Sequence, residues 1–141
     1  MTRDEILAMF ARRHEALNRL DAAALAKDCD ENCVAESPLA GGTAVGREAV
    51  EKVNAAFFEA FSDLTFRQEL LVIDSDDVAL LVTASGTHTG VFVGMIPSGR
   101  RVNFRLAIFY ELRDGLIVRE RRIYDFTGLL IQVGALRVKP S

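Results

Sequence analysis

Apolar positions recur every three to four residues up to residue 61 and alternate with polar ones from residue 64 onward, so the chain reads as helices followed by strands. Thr2 and Glu5 stand at capping-box spacing. Leu7, Phe10, His14 and Leu17 follow at helical spacing, which predicts a first helix to about Leu20. Asp21 is placed to cap a short second helix through Asp28. Val34 to Ser37 reads as a short strand, because the residue before Pro38 is pushed to an extended conformation. A glycine-containing loop from Leu39 to Gly46 then leads into a third helix, Arg47 to about Phe61, with Val50, Val53, Phe57 and Phe61 on one stripe.

The second half predicts strands over Leu64 to Ile73, Val78 to about Thr89, Val102 to Leu112 and Leu116 to Asp125. Asp74 to Asp77 makes the first turn, and Gly90 to Gly99 a long hairpin tip. Arg113, Asp114 and Gly115 form a three-residue loop with Gly115 in the left-handed position. A last turn of helix, Thr127 to Val133, precedes a polar tail. The expected architecture is one α+β domain over residues 1–141, with a core from about 2 to 134 and a tail from 135 to 141. In it, a four-stranded antiparallel meander curls over the helices.

Strand parity assigns faces. Val102, Phe104, Leu106, Ile108, Tyr110 and Leu112 form the apolar, inward set of the third strand. A three-residue loop pairs Leu112 with Leu116, which turns Val118, Glu120, Arg122 and Tyr124 inward. The inward set Val78, Leu80, Val82 and Ala84 continues through Gly86 to His88. Arg105, Phe109, Arg119 and Arg121 face out beside Ile117 and Ile123, too apolar a surface for a fully wet sheet, and predict a homodimer through the outer sheet face. Arginine stems covering a solvated face are the alternative.

At 141 residues and 15.5 kDa the chain is long enough to bury a core without staples. Its net charge of -3 hides an asymmetry: residues 1–99 carry 8 basic and 16 acidic side chains, residues 100–141 carry 9 basic and 4 acidic. The late arginines alternate with apolar residues, and the pI is 5.4, so nucleic acid is not an expected partner. Charges interrupt every apolar stretch before the ~18 residues that a membrane span needs, and the start lacks a signal-peptide core, so the expectation is a cytoplasmic chain without membrane contact. Cys29 and Cys33 lack metal spacing and read as buried fillers, and His14 and His88 are far apart in sequence. No metal or cofactor is expected, since no glycine-rich phosphate loop opens a helix either.

Glu120 and Arg122, two apart on one strand and both inward, cannot stay dry and unpaired. Either they form a structural bridge, or they line a wet pocket together with His88. His88 has the better intrinsic pKa for proton transfer near neutrality, and Arg122 suits an anionic group on a ligand. An arginine neighbour would keep the Glu120 pKa low. The expected catalytic set is His88, Glu120 and Arg122. The expected ligand-binding set is His14, Phe57, Phe61, Phe104, Ile108 and Tyr124. Asp125 reads as the cap of the last helix, and Glu36 as facing away.

Four ordered motifs add a family resemblance: Gly86-Thr87-His88-Thr89-Gly90, Pro97-Ser98-Gly99-Arg100, Asp114-Gly115 followed by Ile117, and Tyr124-Asp125 followed by Gly128, Leu129, Leu130, Gln132 and Gly134. Residues 86–134 resemble the SnoaL-like polyketide cyclases of the nuclear-transport-factor and ketosteroid-isomerase superfamily. The resemblance implies a cone-shaped curved antiparallel sheet, covered by about three N-terminal helices and enclosing a pocket. It also implies an acidic general acid/base three residues before Asp125, where this sequence has Arg122. The positions matching the carboxylates of the steroid isomerases are Ser37 and Ile108, and those matching the limonene-epoxide-hydrolase set are Val82, Ala84 and Arg122. The expected function is a small-molecule-binding protein, an isomerase or cyclase acting by proton transfer on a hydrophobic, enolisable or anionic substrate without the usual carboxylate. A non-catalytic ligand-binding or regulatory module of the same fold, and a purely structural dimerisation domain, are the alternatives.

Overall fold

The computed structural model describes residues 1–39 and 42–139, so residues 40–41 of the expected loop and 140–141 of the expected tail lie outside it. Helix α1 (Arg3–Asn18) starts at the expected capping box: the Glu5 N–H donates to Thr2 Oγ1 at 3.1 Å, and the Thr2 N–H to Glu5 Oε1 at 3.4 Å. Asp21 caps α2 (Ala22–Ala26), and α3 spans Arg47–Ala60. The strands are β1 (Cys29–Glu36), β2 (Thr43–Val45), β3 (Thr65–Asp74), β4 (Asp77–Thr87), β5 (Arg101–Arg113) and β6 (Leu116–Ile123). Helix α4 (Phe126–Val133) closes the chain, capped as expected by Asp125, whose carboxylate accepts from the Gly128 N–H at 2.8 Å. Among the described residues no helix is long and apolar enough to cross a membrane.

One curved sheet carries all six strands in the order β2-β1-β6-β5-β4-β3, and it does not close into a barrel. The fold is α+β as expected, but the sheet is mixed: β1 runs parallel to β6, with Ala35 opposite Glu120, and β2 adds an antiparallel edge to β1. The meander is therefore four of six strands. The sequence showed only the end of β1, because Cys29 to Glu36 has an irregular burial pattern with a register shift between Cys29 and Val34. Strand β2 lies within the expected loop and is too short to show periodicity.

The buried face of α1 is Ile6, Met9, Phe10, Arg13 and Ala16, rotated from the expected stripe: Leu7 is 38% exposed, and His14 and Leu17 are half-buried. The helices pack against the inward face of β4 and β5, where Val78, Leu80, Val82, Ala84, Val102, Phe104, Ile108, Tyr110 and Leu112 are all buried as parity predicts. The loop after β4 is tied to the end of α3, since the Thr89 and Gly90 N–H groups both donate to the Ala60 carbonyl, at 2.9 and 3.0 Å. A Cβ on residue 90 would overlap the Glu59 carbonyl oxygen, so this approach requires glycine.

The β5–β6 turn departs from the expected one in a way that matters for the site. Asp114 and Gly115 both have positive φ, 52° and 79°, and Arg113 pairs with Leu116, so the loop has two residues in place of three. That turn places Ile117 opposite Leu112 and buries it completely, contrary to the expected outward position. An irregularity at Val118 then shifts the register, so that Glu120 faces Tyr110 and Arg122 faces Ile108. Glu120 and Arg122 therefore point inward as expected, but through a short turn and a bulge whose effects on parity cancel.

Candidate functional site

A cavity of about 70 Å³ lies between α1, α3 and the inner face of β5 and β6. One water needs roughly 10–15 Å³ of such space, so the cavity takes several waters or a small ligand. Its walls are mostly apolar: Phe57, Phe104, Leu106, Ile108 and Leu17, with Tyr124 half-buried beside them. Its polar end is built by Arg122, Glu120, Arg13, Asn54 and Ser37.

Glu120 is 3% exposed and sits between two guanidinium groups. Arg122 donates to Glu120 Oε2 from Nε at 3.1 Å and from Nη2 at 2.7 Å, while Arg13 Nη2 lies 3.5 Å from Glu120 Oε1. Arg13 also donates from Nη1 to Asp28 Oδ2 at 3.0 Å and to the Leu25 carbonyl at 2.9 Å, and its guanidinium lies 5.6 Å from the centre of the Tyr110 ring. Arg12, largely exposed, holds Asp28 from the other side at 2.8 and 3.2 Å. The charges thus alternate from the surface to the cavity in the order Arg12, Asp28, Arg13, Glu120, Arg122. At the inner end, Arg122 Nη1 donates to Asn54 Oδ1 at 2.8 Å.

Burial by itself would raise the Glu120 carboxyl, but the charges of Arg122 and Arg13, with the Arg122 hydrogen bonds, outweigh it and hold the group below the ordinary glutamate range. For Arg122 burial works toward neutrality, and the Glu120 charge and hydrogen bond reverse it, so its pKa is raised. Tyr110, fully enclosed, is pushed up to about 12 by burial. At neutral pH the polar end therefore holds one ionised carboxylate between two permanent cations.

Of the expected site residues, the structure brings Glu120, Arg122, Phe57, Phe104, Ile108 and Tyr124 to the cavity wall. His14, Phe61 and His88 are not on it. Phe61 is fully buried in the core, with its ring 5.1 Å from those of Phe57 and Phe92. His14 sits on the side of α1, its Nε2 3.2 Å from Asn18 Nδ2. His88 is fully buried, and its Nδ1 accepts from the Ser98 N–H at 3.0 Å with Ser98 Oγ at 2.8 Å. An Nδ1 that accepts a backbone N–H leaves the ring proton on Nε2, which is buried among aromatic rings without a hydrogen-bond partner among the described residues. This imidazole holds the segment that returns at Ser98 and is not a cavity base. Parity placed it on the correct face, but at the far end of the strand.

The reading of the sequence missed Arg13, Asp28 and Asn54. Asn54 had a legible signal: it lies four residues after Val50 and three before Phe57, a polar side chain on the apolar stripe of α3. Arg13 would have followed from the stripe Ile6, Met9, Phe10, Ala16. Asp28 had none, being an acid in a turn. Glu36 faces outward as expected and binds Arg119 and Arg121 at 3.6 and 3.2 Å. Cys29 and Cys33 are buried free thiols, and burial pushes the Cys29 thiol up to about 12, far from a reactive thiolate. Among the described residues, no group of three or more His, Cys, Asp or Glu could hold a metal ion.

Comparison with known proteins adds relatives to this geometry. The sequence profile of the SnoaL-like polyketide cyclases matches residues 8–133. The crystal structure of IdmH, a proposed polyketide cyclase from Streptomyces antibioticus, is 30% identical with a TM-score of 0.72, over 93% of this chain and 96% of that one. AclR, a proposed hydroxylase from Streptomyces galilaeus, is 27% identical with a TM-score of 0.84, over 99% of this chain and 87% of that one. A protein with a ketosteroid isomerase-like fold from Catenulispora acidiphila, bound to trimethylamine, shares the fold at 16% identity and a TM-score of 0.74, over 95% of each chain. Among curated proteins no relative matches the sequence.

Proposed function

The chain belongs to the SnoaL-like polyketide cyclase family, and from that membership we propose that its cavity binds a small, largely apolar molecule by an electron-rich oxygen held at Arg122. The observation that carries this reading is a guanidinium at one end of an aromatic-walled cavity with N–H groups to spare. Arginine has five N–H donors, and Arg122 commits three of them, two to Glu120 and one to Asn54. One N–H on Nη1 and one on Nη2 are left.

The activity we propose is proton transfer beside a carbonyl, the step shared by isomerases and aldol-type cyclases. A guanidinium bonded to a carbonyl oxygen stabilises the enolate that forms when the neighbouring C–H loses its proton. Glu120 is the carboxylate on the cavity wall. Held ionised, it serves as a base and not as an acid, and its two cationic neighbours make it a weak one. A non-catalytic binding module is the second reading, favoured by the position of both histidines away from the cavity. Deuterium exchange into enolisable ketones separates the two. Exchange by the wild type that falls about 10²–10³-fold in Arg122→Gln, the scale of one lost oxyanion donor, supports catalysis. Ligands that bind without exchange would leave only the binding module.

We also propose a homodimer through the outer face of the sheet. Leu70, Leu81, Ala107 and Ile123 lie opposite one another across four strands, with Val72, Ala79 and Phe109 in the adjacent row. Leu70, Val72, Phe109 and Ile123 are each at least 45% exposed. Arg67 and Arg105 at one end of this patch share Glu69, and Glu111 at the other pairs with Arg121, so charges at both ends are met within the chain and the apolar rows between them carry the proposal. Sedimentation equilibrium is expected to return twice 15.5 kDa for the wild type and a monomer for Phe109→Asp. A monomeric wild type at micromolar concentration would end the idea.

A further inference from the structure

The polar end of the cavity is asymmetric in hydrogen-bond chemistry, and the asymmetry bears on what occupies it. A guanidinium can only donate, so the Asn54 amide must turn its oxygen to Arg122, and the recorded contact is Arg122 Nη1 to Asn54 Oδ1. The Asn54 side chain is half-buried, and its NH₂ group is thereby turned away from Arg122, with no hydrogen bond to another described residue. The two amide N–H groups and the two uncommitted N–H groups of Arg122 thus belong to residues that both line the cavity. The one strong acceptor there, Glu120, is already bonded through Oε2 to Arg122 and faces Arg13 with Oε1. Donors are in surplus, and the innermost charge is positive.

Building on the proposed binding function, we infer that the ligand is a ring-sized monoanion with paired oxygens, a carboxylate or the enolate of a diketone, bound across Arg122 and Asn54. A neutral carbonyl has one oxygen and uses part of this array, whereas a delocalised anion presents two oxygens to it. The charge of such a ligand extends the alternating series inward from Arg122, so the anion is compensated on arrival. Asn54 is then a specificity-determining residue: its amide both fixes the guanidinium and supplies donors for the second oxygen. The apolar wall of Phe57, Phe104, Leu106 and Ile108 takes the ring.

Calorimetric titration of the full-length protein with two matched pairs tests this: benzoate against benzamide, and dimedone, ionised at neutral pH, against cyclohexanone. The expected result is that at least one anion binds about tenfold or more tightly than its neutral partner, the scale of a hydrogen bond to a charged group. A preference for benzoate alone identifies the carboxylate, and for dimedone alone the enolate. Binding should shift the Asn54 side-chain amide resonances in nitrogen-15 spectra. In Asn54→Asp, which keeps a partner for Arg122 but replaces donors by a carboxylate, the preference should vanish while the chain stays folded. Equal or tighter binding of both neutral partners, or an unshifted Asn54 amide, overturns the inference and leaves the proposed binding function standing. Failure of all four probes to bind overturns both.

Discussion

Glu120→Gln is expected to lower the unfolding free energy by about 3–5 kcal/mol, the loss found when one partner of a buried ion pair is removed. Small domains have only about 5–15 kcal/mol in total, so the variant should be close to unfolded at moderate temperature. The side chain keeps its shape, but Arg122 and Arg13 lose the negative charge between them, and both are largely buried. Urea denaturation followed by far-ultraviolet circular dichroism measures the change, and a loss under 1 kcal/mol would mean that water solvates these guanidiniums in the native state. Replacing Arg13, Glu120 and Arg122 together by apolar residues should recover much of the loss, because no uncompensated charge remains. The pH dependence follows from the same cluster. The folded Glu120 carboxyl titrates below its unfolded value of about 4.3, so its contribution to stability is complete above that value and is lost as pH falls through the folded pKa. That part of the acid limb should be missing in Glu120→Gln.

Phe61→Ala should cost a similar amount, about 3–5 kcal/mol, by removing a fully buried ring and leaving a void. The ring contacts Phe57, Phe92 and the His88 imidazole, at centroid distances of 5.1, 5.1 and 5.6 Å, so three neighbours lose packing at once. Phe57→Ala is the informative contrast. Phe57 is half-buried and lines the cavity, so its truncation should cost less stability and change ligand affinity more. If the two variants lose equal stability and equal affinity, the division between core and cavity wall drawn from this structure is wrong.

The contrast between Phe57 and Phe61 also marks how far the sequence could be read. Both lie on one helical stripe, and periodicity assigns both to the interior without saying which part of it. The same holds for Glu120 and His88. Parity turns each toward the helices, but one is at the middle of the sheet beside α1 and α3, and the other is beyond the end of β4, bonded to Ser98. The inward direction of Glu120 and Arg122 was legible only because the short Asp114-Gly115 turn and the irregularity at Val118 cancel. Asn54 was legible in principle, as a polar residue on an apolar stripe, whereas Arg13 needed the helix face placed one position differently.

By itself the sequence determined the caps of α1, α2 and α4, the third helix, the four-stranded meander, the inward face of β4 and β5, and, through four ordered motifs, the family. These properties are local or periodic, set by hydrogen bonds a few residues apart and by a side-chain repeat of two or 3.6. Tertiary structure alone decided the parallel pairing of β1 with β6, the short edge strand β2, the gathering of Arg12, Arg13, Asp28 and Asn54 around Glu120 and Arg122, and the exclusion of His14, Phe61 and His88 from the cavity. The physical reason is that a buried charge is tolerable only where opposite charges reach it from other elements, and the Arg13–Glu120 contact joins the first helix to the last strand.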